Sequence, residues 1–209
     1  MEEYLNEKEQ WERVLQWVRE QGPWVLVSVA VVGMGYWGWN AWKRHVEQRY
    51  ESASTRFGQV IDDFGHNNLD GGLKAADELI KDFPATAYAD QANLAAARIQ
   101  VERGNLEQAA VRLTQVMRSS KDPELALISR LRLARVQLAL GKPDDALKTL
   151  SGVDPGAFAA RFAQARGDIL MSKGDRAGAL REYQSARSSG AETLDVGLLD
   201  LKIDELARS

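Results

Sequence analysis

From Gln21 to Trp42 the chain carries no charged side chain; Glu20 closes the run on one side and the Lys43-Arg44 pair on the other. A helix that is apolar on every face needs surroundings other than water. The 19 residues from Trp24 to Trp42 would span roughly 28 Å as a helix, about the hydrocarbon thickness of a bilayer. Ahead of the run, Trp11, Val14, Leu15 and Val18 recur at i, i+3, i+4 and i+7, which is one face of a helix over 6–20. Asn6, with Glu9 three residues on, predicts its cap. That face suits an interfacial helix lying on the membrane, or a docking helix for a partner. Beyond the run the pattern is helical and polar to the end. The chain is therefore predicted to be all-α, with an N-terminal amphipathic segment (1–20), a single transmembrane anchor (21–43) and one soluble domain (44–209).

The ends of the run favour a span. Trp24 stands at one end, Trp39 and Trp42 at the other, where indoles prefer the headgroup region. Gly22-Pro23 suits a helix start, since proline tolerates the first turn. A cleaved signal peptide would want a basic start and a small-residue cleavage site, whereas this start is acidic at Glu2, Glu3, Glu7, Glu9 and Glu12. A buried core helix is the other alternative. Ser28, Gly35 and Gly38 fall on one stripe, where small residues let another membrane helix approach closely. Orientation is not fixed by charge: Lys8, Arg13 and Arg19 precede the run, and Lys43, Arg44, Arg49 and Arg56 follow it. That bias leans towards a cytoplasmic C-terminal domain.

The soluble part repeats itself. Gly104 is followed by Ala109, Leu113 and Val116; Gly141 by Ala146, Leu150 and Val153; Gly174 by Ala179, Tyr183 and Ala186. A weaker copy starts at Gly71, with Ala76 and Ile80 in step. The four glycines stand 33, 37 and 33 residues apart, near the tetratricopeptide period of about 34. Each glycine can take the positive φ that ends a first helix, A, and Asn, Asp or Pro-Asp restarts a second, B. Ala97, Ala134 and Gly167, seven residues before the glycines, mark a close crossing of the two. The first A helix would run from about His45 to Phe64, and a last helix from Thr193 to Ala207, with Leu194, Leu198 and Leu199 on one side, would cap the stack. The consensus tryptophan and tyrosine of helix A are missing. The expected architecture is a tetratricopeptide-like α-solenoid.

Composition narrows the function. There are 27 basic against 30 acidic residues, a net charge of −3, which argues against a nucleic-acid binder. With no cysteine, disulfides and thiolate metal sites are excluded. His45 adjoins Lys43 and Arg44, and His66 stands near Asp62 and Asp63, without a third ligand type in spacing. Gly71-Gly72 lacks the strand and lysine of a phosphate loop. No catalytic, cofactor or metal site is expected, and no enzyme.

Solenoids of this kind bind along a groove lined by their A helices. The repeat aligns Arg98 with Arg135 and Asp168, and Leu94 with Leu131 and Gln164 one turn earlier. Two arginines and two leucines on one wall would suit an extended segment offering carboxylates and apolar side chains. Equally, the leucines could be core between repeats and the arginines merely solvated.

An acidic amphipathic start, a tryptophan-ended span and a degenerate repeat domain resemble the YfgM-type ancillary subunits of the bacterial SecYEG translocon. The strings Leu131-Arg132-Leu133-Ala134-Arg135-Val136-Gln137, Ala146-Leu147-Lys148-Thr149-Leu150 and Ser172-Lys173-Gly174-Asp175 carry the resemblance. It implies a single-pass protein of the bacterial inner membrane, N-terminus cytoplasmic and repeat domain periplasmic. It also implies association with SecYEG and with a membrane-anchored, prolyl-isomerase-like periplasmic chaperone, and a role in passing translocating polypeptides to periplasmic chaperones. The alternative is a membrane-anchored scaffold or regulator that holds a signalling partner in the envelope stress response.

Overall fold

A computed structural model of the chain describes the backbone of residues 2–84, 86–189 and 195–208, and their side chains except those of 2–10, 13, 14, 16, 18–23 and 25–29. Every regular element among them is helical. The chain divides into two compact units, Met1–Glu51 and Ser52–Ser209.

The first unit is built on α1, whose full extent is Glu2–Gly65. The expected cap at Asn6 and the expected helix start at Gly22-Pro23 both lie inside it, so helical backbone runs through them. A proline costs a helix one backbone hydrogen bond and crowds the preceding turn; neither effect ends this one. Among the described residues no helix is long and apolar enough to cross a membrane. The most apolar part of the expected anchor, 25–29, lies outside the described side chains, and Trp24, Tyr36, Trp37, Trp39 and Asn40 dilute the remainder. Every large apolar side chain described between Trp24 and Trp42 is nonetheless exposed, Trp37 to 78%.

In the second unit the end of α1 is followed by α2 (Leu69–Asp82), α3 (Ala87–Glu102), α4 (Leu106–Ser119), α5 (Pro123–Ala139), α6 (Pro143–Leu150), a 3-10 turn at Gly156–Phe158, α7 (Ala159–Ser172), α8 (Arg176–Ser188) and α9 (Val196–Ala207). From α2 to α9 consecutive helices pack on one another, and α5 lies beside both α3 and α7; the end of α1 shares a core with α2 and α3. The A helices are thus the end of α1, α3, α5 and α7; the B helices are α2, α4, α6 and α8.

Three of the predicted glycine turns are found as expected. Gly104, Gly141 and Gly174 have φ of 78°, 70° and 79°, a region closed to most side chains. After each, the positions five and nine residues on are buried: Ala109 and Leu113, Ala146 and Leu150, Ala179 and Tyr183. The first repeat departs from its expected register. Gly71 lies within α2, and the left-handed residue is Asn67, φ 59°. Counting from Asn67, the buried residues of α2 (Gly72, Ala76 and Leu79) take the places of Ala109, Leu113 and Val116. The interval to Gly104 then equals the next one, 37 residues. Asparagine is among the few side chains that tolerate this conformation, and Asn68 caps α2 by accepting from the Gly71 N–H at 3.2 Å.

Small and large residues trade places across the A–B crossings. A Cβ on Gly167 would sit 2.5 Å from the Tyr183 ring, and one on Gly72 2.4 Å from the Phe64 ring. Each ring fills the space left by the glycine it faces. Ser129, fully buried on α5, donates to the Leu113 carbonyl of α4 at 2.6 Å. Asp122 caps α5 by accepting from Glu124 and Leu125, with Pro123 in the first turn. At the far end α9 buries Leu199 and Leu206 against Ala163, Tyr183 and Ala186. Leu198, expected on that inner side, is 47% exposed, because the face that meets α8 is set by Leu199, Ile203 and Leu206 at helical spacing. Leu194 lies outside the described residues.

Candidate functional site

Helices α3 and α5 form a recess of about 390 Å³. Its floor is Ala97, Val101, Leu113 and Val136; its rim is Arg98, Arg132, Arg135 and Glu102. A second hollow of about 670 Å³ lies between the end of α1, α3 and α5, walled by Phe57, Ile61, Phe64, Leu94 and Ile128. The two share Arg98, Glu102 and Arg132. Both are made by the A helices packing side by side, which leaves a furrow wherever their facing residues are short.

The rim is electrostatically uneven. Arg98 donates to Glu102 on the next turn at 2.8 Å. Among the described residues no carboxylate pairs with Arg132 or Arg135. Solvent reaches Arg132, yet the protein around its head group holds its pKa below the ordinary value, first by desolvation and then through the cations of Arg135 and Arg98.

The six residues expected to line one wall are distributed along the stack. Arg98 and Arg135 stand on the rim of the recess. Leu94 is 7% exposed: it is packed among the residues around α4 and also borders the larger hollow. Leu131, 5% exposed, belongs to the core between α5, α6 and α7. Gln164 is half-buried on α7. Asp168 is engaged by the chain itself, since the Tyr183 hydroxyl donates to it at 2.7 Å and Lys202 of α9 pairs with it at 2.6 Å. The repeat alignment therefore brings together Arg98 and Arg135 but hands Asp168 to the C-terminal helix. It passes over Arg132, whose place in the repeat has no equivalent arginine in α3 or α7 (Ala95 and Ala165). The available signal was local: three arginines, at 130, 132 and 135, within one helix.

Tyr183 is buried, and its phenol is pushed well above the usual range by burial, by donating to Asp168 and by the charges of Asp168 and Glu205. His66 is exposed, 3.3 Å from Asp62. Among the described residues no three His, Cys, Asp or Glu side chains gather as a metal site would need. In the first unit, a Cβ on Gly35 or Gly38 would meet nothing within 4 Å; Ser28, the third residue of that stripe, lies outside the described side chains.

The family model for the tetratricopeptide repeat-like domain matches residues 15–208. A protein of Escherichia coli strain K12 is 33% identical over 99% of this chain and 100% of its own length. One from Aggregatibacter actinomycetemcomitans is 30% identical over 97% and 98%, and one from Haemophilus influenzae 30% over 97% and 98%. Each of the three is named ancillary SecYEG translocon subunit. Among solved structures, a tetratricopeptide repeat protein from Parabacteroides merdae superposes with a TM-score of 0.59 at 14% identity, covering 77% of this chain and 60% of that one. The MamA protein superposes with 0.58 at 14% identity, covering 76% and 87%. At such identity the likeness is one of fold.

Proposed function

Because the chain belongs to the family of ancillary SecYEG translocon subunits, with their tetratricopeptide repeat-like domain, we propose that it is a non-enzymatic, membrane-tethered protein-binding module beside that channel. Residues 21–43 are its anchor. The support is the absence of charge from Gln21 to Trp42 and the exposure of Val31, Val32, Met34 and the indoles around them, side chains that gain from leaving water. Gly35 and Gly38 offer a face to which a channel helix can come close. The chain is held in the inner membrane with its N-terminus in the cytoplasm and its repeats in the periplasm. There the repeats receive translocating polypeptides and pass them to a membrane-anchored, prolyl-isomerase-like chaperone. Tethering multiplies the local concentration of a weak binding face around each emerging segment.

The observation that carries this reading is the arginine-rimmed recess on the A helices, a surface fitted for contact. A photo-reactive residue in place of Arg98 or Arg135 in the intact membrane-bound protein is expected to capture secretory chains or the periplasmic chaperone. Adducts with lipid alone, or none, would sink the idea. A reporter active on one side of the membrane, fused after Ser209, is expected to report the periplasm; activity in the cytoplasm would favour the scaffold for a signalling partner, towards which the basic residues flanking the run lean.

A further inference from the structure

We propose that the face between α3 and α5 selects extended segments in which an acidic side chain stands between two bulky apolar ones. The inference rests on the protein-binding reading above and names the sequence class that the site takes. Its basis is the way two hollows, one with an apolar floor and a larger one whose aromatic and aliphatic walls are edged by Asn67 and Gln91, meet at one charged ridge. The smaller, floored by Val101, Leu113 and Val136, and the larger, walled by Phe57, Phe64 and Ile128, share Arg132 as a common edge. At about 390 and 670 Å³, each has room for a large side chain.

Charge decides what crosses the ridge. Glu102 already answers Arg98 at 2.8 Å, so Arg132 and Arg135 hold surplus positive charge among the described residues. The Arg132 guanidinium is disfavoured where it stands by burial and by its two cationic neighbours, and an incoming carboxylate reverses the sign of that field. Guanidinium and carboxylate match in planar, two-bond geometry. A chain-terminal carboxylate placed on Arg132 would leave one hollow empty. An internal Asp or Glu lets the segment continue on both sides and fill both.

The test uses the full chain in lipid nanodiscs and three terminally blocked fluorescent peptides. One carries Leu-Glu-Phe at its centre, the second Leu-Gln-Phe, the third Ser-Glu-Ser. The first is expected to bind about tenfold more tightly than either of the others, the scale of one charge-assisted contact or one buried side chain. Arg132→Gln and Arg135→Gln are expected to bring the glutamate peptide down to the affinity of the glutamine peptide, which itself stays unchanged. Arg118→Gln, an exposed arginine of α4 away from the recess, is expected to change neither. Helical circular dichroism checks that each variant is folded. Equal affinity for the Glu and Gln peptides, no binding of any peptide at millimolar concentration, or a loss in Arg118→Gln equal to that in Arg132→Gln would each overturn the proposal. A failed capture at the membrane together with an intact peptide preference would count against the cellular role and leave the recognition rule standing.

Discussion

The Tyr183 ring and the missing side chain of Gly167 are two halves of one contact. A methyl group at 167 would stand 2.5 Å from the ring, and the ring shares its core cluster with Leu199 and Leu206 of α9. Gly167→Ala is expected to destabilise the domain by about 1–3 kcal/mol, the usual scale of overpacking, read as a lower melting temperature. Tyr183→Leu in the same chain is expected to recover part of the loss; if Gly167→Ala melts like the parent, the contact is not tight. The Tyr183 hydroxyl supplies a pH dependence. Burial comes first, then the bond to Asp168, in raising its pKa above that of an unfolded tyrosine, about 10. The folded state therefore keeps a proton that the unfolded chain releases. The stabilisation is whole below about pH 10 and declines as pH rises towards the folded pKa. Denaturant melts from pH 8 to 11 are expected to show this decline, and Tyr183→Phe is expected to make it shallower. An unchanged slope in Tyr183→Phe would assign the decline to other groups.

Among the elements, α2 shows how a repeat keeps its packing while losing its marker. The turn before it is made by Asn67, not by Gly71, and the reversal of sizes at Phe64 and Gly72 keeps α1 and α2 in contact. Asn67→Ala is expected to cost about 1 kcal/mol and Asn67→Gly close to nothing; equal costs would show that the left-handed turn is not what the site requires. At the other end α9 does more than cover the stack. Arg187 pairs with Asp200 at 2.9 Å, half-exposed, and Lys202 with Asp168 at 2.6 Å, about a third exposed; ion pairs that solvent reaches contribute little. Leu199, fully buried, holds the helix. Leu199→Ala is expected to cost about 2–5 kcal/mol and Lys202→Ala under about 1 kcal/mol, measured by urea unfolding. A larger loss at Lys202 would mean that the ionic lock, not the apolar face, fixes α9.

For the whole molecule, the chain splits at Glu51 and Ser52. Among the described residues four core clusters lie along the second unit: α1 to α3, α3 to α5, α5 to α7, and α7 to α9. None needs a residue before Ala53. Residues 52–209 expressed alone are expected to give a soluble, helical domain with cooperative unfolding that no longer sediments with membranes. An insoluble or unfolded fragment would show that the first unit is required for the fold, and continued sedimentation would place the membrane attachment in the repeats.

The sequence by itself determined whatever rests on local backbone chemistry and period. Gly104, Gly141 and Gly174 announce their turns because positive φ is costly for other residues, and the alanines and leucines at fixed offsets from them announce which face of each B helix is inward. The same reasoning misplaced the first turn, since asparagine also enters the left-handed region and two adjacent glycines downstream imitate the marker. The binding face was legible only in part. Helix α5 carries apolar and polar residues on every side, so its period does not say which side stays open; α6 and α7 bury Leu131, α4 buries Leu133 and Val136, and Arg132 and Arg135 are left outward. Only the tertiary structure could decide that Asp168 answers Lys202 of the chain's own last helix. That contact joins residues 34 apart in sequence, and its partner is chosen by where α9 comes to rest, which no short-range pattern encodes.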